Sequence, residues 1–431
     1  MSTPASLYRN AIDLNRYSNS VARRVINAYN DIIIDAADQL RRLLPDAGGT
    51  GPMTITAPDQ AARLRSILAQ LKESLGTWAG DATQLTATEL QGLTELQSEF
   101  VTEQLRKVLP AGARDAVRTV EISPQFAQSV VTTDPTQLNV VALSDDLFEA
   151  VYGSEALARQ AGTGAFSLTA TKGTMITLPN GSTVEKAFRG IATDQAERFS
   201  QVVRNGLLTG ETTPAIAKRL MGRLERNGER LIFGEVATTT GQLRAAGVKS
   251  IVASGGELTA MADNQIMSLV RTSINQVANS ASMAVYEANQ DVTKKYQYVA
   301  TLDSLTSPIC RALDGQEFPY GKGPTPPQHF NCRSKVVAVI DYKGLGFPEL
   351  ESEFETRASK DGQVPANTTY GQWLKDQPLK TQQDVLGASK VPYFNRLVDK
   401  YGAKDAMAKL VRDDGSELTL DQLRKRYGPL S

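Results

Sequence analysis

The chain has 431 residues, a length that corresponds to about three domains at about 150 residues each. Lysine plus arginine and aspartate plus glutamate each number 47, so the formal net charge is zero. This excludes the whole-chain polycation that binds nucleic acid nonspecifically. No run of about 18 uncharged apolar residues occurs, so we expect no membrane-spanning helix. The first 30 residues lack the apolar block of a signal peptide, so we expect synthesis in the cytoplasm.

The rarest residues exclude several kinds of catalytic site. The chain has one histidine, His329, and two cysteines, Cys310 and Cys332. A single histidine excludes metalloproteases with two histidine ligands and histidine-rich nuclease centres. A serine–histidine–aspartate triad could use only His329. Two cysteines are too few for a disulfide scaffold.

The first 110 residues predict a long helical hairpin or bundle. Apolar residues at steps of three and four predict a helix over 4–44. Its predicted buried stripe is Val21, Val25, Tyr29, Ile32, Ala36, Leu40 and Leu43. Prolines and glycines over 45–52 end it. A second helix is predicted over 58–78, and a third from Thr86 to Val108, where Thr86 and Glu89 have the spacing of a capping box.

Residues 111–190 predict a mixed region of helix and strand. The pattern predicts a helix over 145–160 and strands over 166–171 and 174–178. The tripeptide Pro179-Asn180-Gly181 predicts a hairpin turn, with 182–184 as the return strand.

Helical periodicity then returns. The pattern predicts a helix over 191–206. A second helix is predicted to begin at Thr213-Pro214, an N-cap followed by proline in the first turn, and to end at Glu225. A long helix is predicted over 260–289. Its predicted buried stripe is Ile266, Leu269, Val270, Ile274, Val277, Ala281 and Val285.

The most distinctive segment lies between two predicted strands, 295–301 and 335–342. It holds, within 23 residues, both cysteines and the only histidine: Cys310, His329 and Cys332. Thiolate and imidazole are donors that zinc prefers, and structural zinc takes four protein ligands. The first hypothesis is therefore a zinc site formed by these three residues, with Asp303, Asp314 or water as the fourth ligand.

Three other interpretations of these residues stay open. Two buried cysteines and a hydrogen-bonded histidine can hold an irregular loop together without metal. A Cys310–Cys332 disulfide could span the loop, although a reducing cytoplasm disfavours it. A cysteine–histidine nucleophile pair is also a known arrangement. A loop dense in proline and glycine, however, offers no visible scaffold to orient such a pair.

The other loop residues predict how its backbone runs. Asp314-Gly315 is a turn dipeptide. Pro326 and Pro327 favour a stiff, extended path. Arg333 carries five N–H donors and could satisfy carbonyl groups of the loop, which has no predicted regular structure to pair them.

This segment and the helix before it resemble the phage head morphogenesis family, which includes the phage Mu F-like minor head proteins. The resemblance rests on these positions: Arg271, Thr272, Asp303, Thr306, Ser307, Pro308, Cys310, Leu313, Asp314, Gly315, Pro326, Pro327, His329, Asn331, Cys332 and Arg333. A further similar stretch runs from Gly206 to Ala217. The resemblance covers roughly 191–342, and the cysteine loop is its most specific part.

The sequence departs from the family at two positions. Many members have cysteine where this chain has Ser307, and many end the motif with a further cysteine where this chain has Ser334. Two thiolate ligands that relatives could offer are therefore replaced by serine. The segment 364–423 also resembles a tail found on many minor head proteins, with Tyr370, Trp373 and Leu374 as anchors of a small helical subdomain.

These observations together predict an α+β protein that is predominantly α-helical. The expected regions are an N-terminal helical region over 1–110, a mixed region with a hairpin over 111–190 and a head-morphogenesis domain over 191–343. A linker over 343–362 and a small helical C-terminal subdomain complete the chain to residue 431.

The resemblance implies a low-copy structural protein of the virion or procapsid that is not an enzyme. Family members associate with the portal vertex, so the portal protein is the expected partner, with capsid or scaffolding protein and phage DNA as further partners. The N-terminal helices are the expected portal contact, so deleting residues 1–110 should abolish portal binding while the rest still folds. Two alternatives are a zinc-knuckle protein that binds nucleic acid and a head protein with a fused toxin or nuclease activity.

Overall fold

A computed structural model describes residues 3–43, 58–121, 127, 130–132, 166–167, 178–209, 211, 213–221, 257–348 and 356–430. Most of these residues are helical, and the strands form small sheets. The predicted class, α+β with a predominance of helix, is confirmed.

Two long helices form the N-terminal part: α1, Thr3–Leu43, and α2, Pro58–Val108. They contact each other along their length, as the hairpin prediction requires. The prediction of a separate helix beginning at Thr86 is wrong, because α2 runs through this position and Thr86 is buried. No proline interrupts α2, and buried residues such as Trp78, Ala79 and Ala82 keep its apolar face in register. A capping-box spacing inside a well-packed helix therefore does not start a new one.

A short helix, α3 (Ala111–Arg114), and a parallel pair of short strands, β1 (Val120–Glu121) and β2 (Phe166–Ser167), follow. The predicted strand 166–171 is confirmed only at its first two residues. Residues 168–171 of this strand, the predicted helix 145–160 and residues 174–177 lie outside the described residues.

The turn at 179–181 forms as predicted, with the amide of Gly181 donating to the carbonyl of Leu178 at 2.8 Å. The predicted return strand 182–184 is wrong, because helix α4, Val184–Thr209, begins there. Thr183 supplies the reason: its hydroxyl accepts a hydrogen bond from the amide of Lys186 and so satisfies a donor in the first helical turn.

Helices α5 (Thr213–Met221) and α6 (Glu257–Ala288) complete the helical core. Every residue of the stripe predicted for 260–289 is buried. Helix α6 packs against α1, α2 and α4, and one apolar cluster extends from Leu14 in α1 to Ala278 in α6. The expectation that the rest would fold without residues 1–110 stays a prediction, and the shared cluster argues against it because the deletion would expose the buried face of α6.

A three-stranded antiparallel sheet follows α6, in the order β4–β3–β5. Its strands are β3 (Thr293–Val299), β4 (Glu317–Pro319) and β5 (Lys335–Ile340). The predicted strands correspond to β3 and β5, which confirms a Cys/His segment between two strands. The expectation of an irregular segment is wrong in part, because it contains β4 and a short helix, α7 (Pro308–Leu313).

The C-terminal part begins with a hairpin of β6 (Thr356–Ser359) and β7 (Gly362–Pro365), where an irregular linker was expected. Five short helices follow: α8 (Tyr370–Lys375), α9 (Leu379–Leu386), α10 (Val391–Tyr401), α11 (Ala403–Ala408) and α12 (Leu420–Tyr427). Tyr370, Trp373 and Leu374 are buried in their common core, as predicted. Across the described helices, none combines the length and apolar character needed to span a bilayer. The region boundaries at 110, 190 and 343 stay predictions.

Candidate metal centre

Three elements bring the two cysteines and the histidine together. Cys310 lies in α7, where Ser307 is the N-cap and Pro308 the first helical residue. His329 and Cys332 lie in the turn just before β5. Both cysteine side chains are buried, at 1% and 3% exposure, whereas His329 is half-buried. The loop therefore folds back on itself and places residues far apart in sequence next to one another.

The donor atoms of this group, which we call the Cys/His cluster (Cys310, His329 and Cys332), all lie within 4.8 Å of one another. The two sulfur atoms are 3.7 Å apart, and Nε2 of His329 lies 3.3 Å from the sulfur of Cys310. Both thiols are free, and 3.7 Å is far from the bonded distance of about 2.05 Å, so the disulfide interpretation does not describe this structure.

The histidine ring is held by its other nitrogen. Nδ1 of His329 lies 2.7 Å from the carbonyl oxygen of Phe330, so Nδ1 carries the proton and donates it there. This fixes the tautomer and directs the lone pair of Nε2 toward the sulfur of Cys310. Metal-binding histidines are oriented in the same way, by donation from the second nitrogen to a carbonyl or carboxylate.

The thiols polarise each other. A hydrogen bond from Cys310, together with one from His329 once Nε2 is also protonated, holds the pKa of Cys332 well below its usual range. The same contact with Cys332, with burial, raises the pKa of the Cys310 thiol. The hydrogen bond with Cys332 also raises the pKa of His329. The hydroxyl of Tyr298, 3.2 Å from the sulfur of Cys310, completes the polar surroundings. The cluster thus favours one thiolate beside a cationic or hydrogen-bonded partner.

The spacing of the donors fits a tetrahedral metal. Zinc bonds of about 2.3 Å to sulfur and about 2.05 Å to nitrogen place two sulfurs about 3.8 Å apart and sulfur and nitrogen about 3.6 Å apart in a tetrahedron. The observed separations of 3.7 and 3.3 Å are close to both values. Two thiols and one imidazole are also a donor set that zinc prefers. The residues present therefore fit a metal with three protein ligands.

Neither aspartate proposed as a fourth ligand belongs to the Cys/His cluster. Asp303 forms a two-point ion pair with Arg333, at 2.6 and 2.8 Å. It also accepts the amide proton of Leu305 at 3.0 Å and the hydroxyl proton of Thr306 at 3.2 Å. Both carboxylate oxygens are therefore engaged in shaping the turn before α7. Arg333 binds this carboxylate, whereas we predicted that it would bind loop carbonyls.

Asp314 is the centre of a second, fully buried network. Its side chain pairs with Arg357 through both oxygens, at 3.0 and 3.1 Å, and the two side chains are 0% and 3% exposed. It also accepts the amide protons of Ala300 and Tyr370, both at 2.6 Å. Asp314 thus joins β3, the hairpin β6–β7 and α8, and its role is structural.

The turn after Asp314 is as predicted, and Gly315 is required there for two reasons. Its φ of +77° lies in the left-handed region that favours glycine. A Cβ at this position would also lie 2.7 Å from Cγ2 of Thr369, the N-cap of α8. The turn is therefore packed closely against the C-terminal subdomain.

Polar side chains of α6 attach the Cys/His cluster to the helical core. Asn275 donates to the carbonyl of Cys332 at 2.7 Å, and Asn279 accepts the amide proton of Val336 at 3.1 Å. The hydroxyl of Thr272 accepts the amide proton of Asn331 at 2.9 Å, which holds Asn331 at a positive φ of 60°. These contacts fix the turn that carries Cys332.

The remaining motif residues support this arrangement at its edges. Arg271, half-buried in α6, donates to the side chain of Asn19 in α1 at 2.8 Å. Burial, together with the charge of Arg333, lowers the pKa of Arg271. Pro326 and Pro327 are joined by a cis peptide bond, and both are buried. Arg271 therefore connects the family motif to the N-terminal helix.

Sequence reasoning missed three residues that support the site. Arg357 lies in the stretch that we expected to be a linker, and no local pattern marks it as buried. Asn275 and Asn279 could have been found, because polar residues four apart on an otherwise apolar helical stripe need partners when buried.

Comparison with known proteins agrees with the motif. Residues 197–337 match the family described as Phage Mu protein F like protein. The search of curated proteins and the search of solved structures gave no match. The matched segment contains the whole Cys/His cluster, all of α6 and the sheet except the end of β5. The resemblance is thereby confirmed over residues 197–337, which are similar to the Phage Mu protein F like family.

Proposed function

We propose that this protein is a low-copy minor head protein that associates with the portal vertex during procapsid assembly and aids DNA delivery. The observation that carries the proposal is the match of residues 197–337 to the Mu F-like family. Its site of action is the virion, and its assembly takes place in the host cytoplasm. The partners are the portal protein first, with capsid or scaffolding protein and phage DNA as secondary contacts. The role is structural and needs no catalytic step.

The test is co-expression with the portal protein encoded beside it, followed by affinity capture and native mass spectrometry. We expect a complex of defined mass, from which the copy number follows. Failure to form any complex, with both proteins folded, would contradict the portal role. Because residues 1–110 share one core with α6, a deletion would confuse loss of binding with loss of folding.

Substitutions on the outer face of α1 and α2 avoid that problem. A groove of about 600 Å³ lies between these helices, with Ala28 and Thr77 exposed along it. Changing each residue to arginine places charge in the groove without touching the core. If the N-terminal helices contact the portal, both variants should capture less portal protein than Ala388→Arg, an exposed control in the C-terminal part. Equal capture by all three would exclude this groove as the contact.

We further propose that the Cys/His cluster binds zinc through Cys310, His329 and Cys332. A bound Zn²⁺ would supply a structural cross-link between α7 and the turn before β5. The donor separations and the orientation of His329 support this. Metal analysis of protein purified without chelator should give one zinc per chain in the wild type and none in Cys332→Ser. Metal-free wild-type protein would contradict the proposal.

The Cys/His cluster also favours a second candidate function, nucleic-acid binding through a zinc knuckle. This function predicts an affinity for DNA that falls steeply as salt increases, because phosphate contacts release counterions. A salt titration with a double-stranded probe distinguishes the two: the structural role predicts weak binding that Cys332→Ser leaves unchanged.

A further inference from the structure

A fourth polar group lies against the Cys/His cluster. The hydroxyl of Ser307 donates a hydrogen bond to Nε2 of His329 at 2.7 Å, so it lies on the side of the ring to which a metal would bind in its place. The same hydroxyl accepts the backbone amide proton of Cys310 at 3.4 Å. Ser307 therefore contacts the donor nitrogen of His329 directly and lies next to Cys310, whereas Asp303 and Asp314 are engaged with arginines.

The location of Ser307 is set by the fold rather than by a flexible side chain. Ser307 is the N-cap of α7, and its oxygen accepts a weak hydrogen bond from the amide of Cys310 at 3.4 Å. Ser307 and His329 are both half-buried, whereas the two cysteines are buried. The side of the cluster that faces solvent is thus the side on which Ser307 lies.

We propose that Ser307 occupies the fourth coordination position of the cluster, so that a metal bound there has three strong protein ligands and one exchangeable position. The inference rests on the zinc proposal above. A neutral hydroxyl is a much weaker ligand than a thiolate, so a small anion can replace it, as in metal sites that keep a position open. The site would then accept an external donor, such as an anion or a side chain of a partner protein.

The test is titration of the full-length, metal-free protein with Co²⁺, whose absorption reports thiolate ligands and geometry. Ser307→Cys should bind Co²⁺ at least about tenfold more tightly than wild type. Its charge-transfer absorption should rise from that of two thiolates to that of three. Azide should change the spectrum of the wild type and leave that of Ser307→Cys unchanged. Thr419→Cys is the matched control, since Thr419 is the N-cap of α12, is not part of the cluster and gains the same thiol.

The outcomes separate the two proposals. If the wild type binds Co²⁺ but Ser307→Cys has the same affinity and absorption, Ser307 does not hold the fourth position and the inference is wrong. A wild-type spectrum that azide does not alter would also overturn it, and this measurement does not depend on the variant folding. If neither protein binds Co²⁺ at the cluster, the zinc proposal itself fails.

Discussion

The buried ion pair between Asp314 and Arg357 makes the sharpest prediction about stability. Asp314→Ala removes the carboxylate that pairs with Arg357 and leaves the amides of Ala300 and Tyr370 without their acceptor. Breaking a buried pair by removing one partner costs about 3–5 kcal/mol, because the other charge stays buried. Whole domains have unfolding free energies of about 5–15 kcal/mol. We therefore expect Asp314→Ala to lose about a fifth or more of the stability of this part of the chain.

The two tryptophans allow this loss to be measured locally. Trp78 lies in the helical core, and Trp373 packs on Tyr370 with ring centroids 5.2 Å apart. In a Trp78→Phe background, urea unfolding followed by fluorescence therefore reports the region around Tyr370, whose amide Asp314 binds. The midpoint of this transition should fall strongly in Asp314→Ala.

Two comparisons test the reasoning. Arg424→Ala breaks an ion pair that is 63% and 91% exposed and should cost less than about 1 kcal/mol. The double variant Asp314→Leu/Arg357→Met should be more stable than Asp314→Ala, because no unpaired charge stays buried, although the two amides still lack an acceptor. A loss in Asp314→Ala no larger than that in Arg424→Ala would refute the argument.

Three further predictions concern the same region. Gly315→Ala should lose about 1–3 kcal/mol of unfolding free energy, because the new Cβ meets Thr369 and φ is positive. Urea unfolding measures this loss, and an unchanged free energy would show that Thr369 moves aside. Burial lowers the pKa of Lys335 to about 7. The unfolded chain then binds more protons than the folded chain above pH 7, so stability should rise toward pH 10 in the wild type relative to Lys335→Met; parallel curves would contradict this. Under the zinc proposal, a chelator should lower the unfolding free energy of the wild type by several kcal/mol and leave that of Cys332→Ser unchanged. A wild type that is insensitive to the chelator would indicate packing without metal, in which case Cys332→Ser costs only about 1–3 kcal/mol.

Two local sequence signals gave predictions that the structure shows to be wrong. Thr86 and Glu89 have the spacing of a helix start, yet Thr86 is buried inside α2. The strand expected after Gly181 is instead the start of α4. Both errors concern short-range signals of small energy, and packing of apolar side chains over many turns outweighs a single cap or turn preference.

Sequence alone determined helices α1 and α6, the buried stripe of α6, strands β3 and β5 and the family motif, because these depend on periodicity and on rare residues visible in one dimension. Only the tertiary structure decided that Asp303 and Asp314 bind arginines rather than a metal, and that Ser307 lies beside His329. It also decided that the N-terminal helices share one core with α6. The physical reason is that the partner of a buried polar group is set by distant segments meeting in space, as Arg357 meets Asp314 across 43 residues.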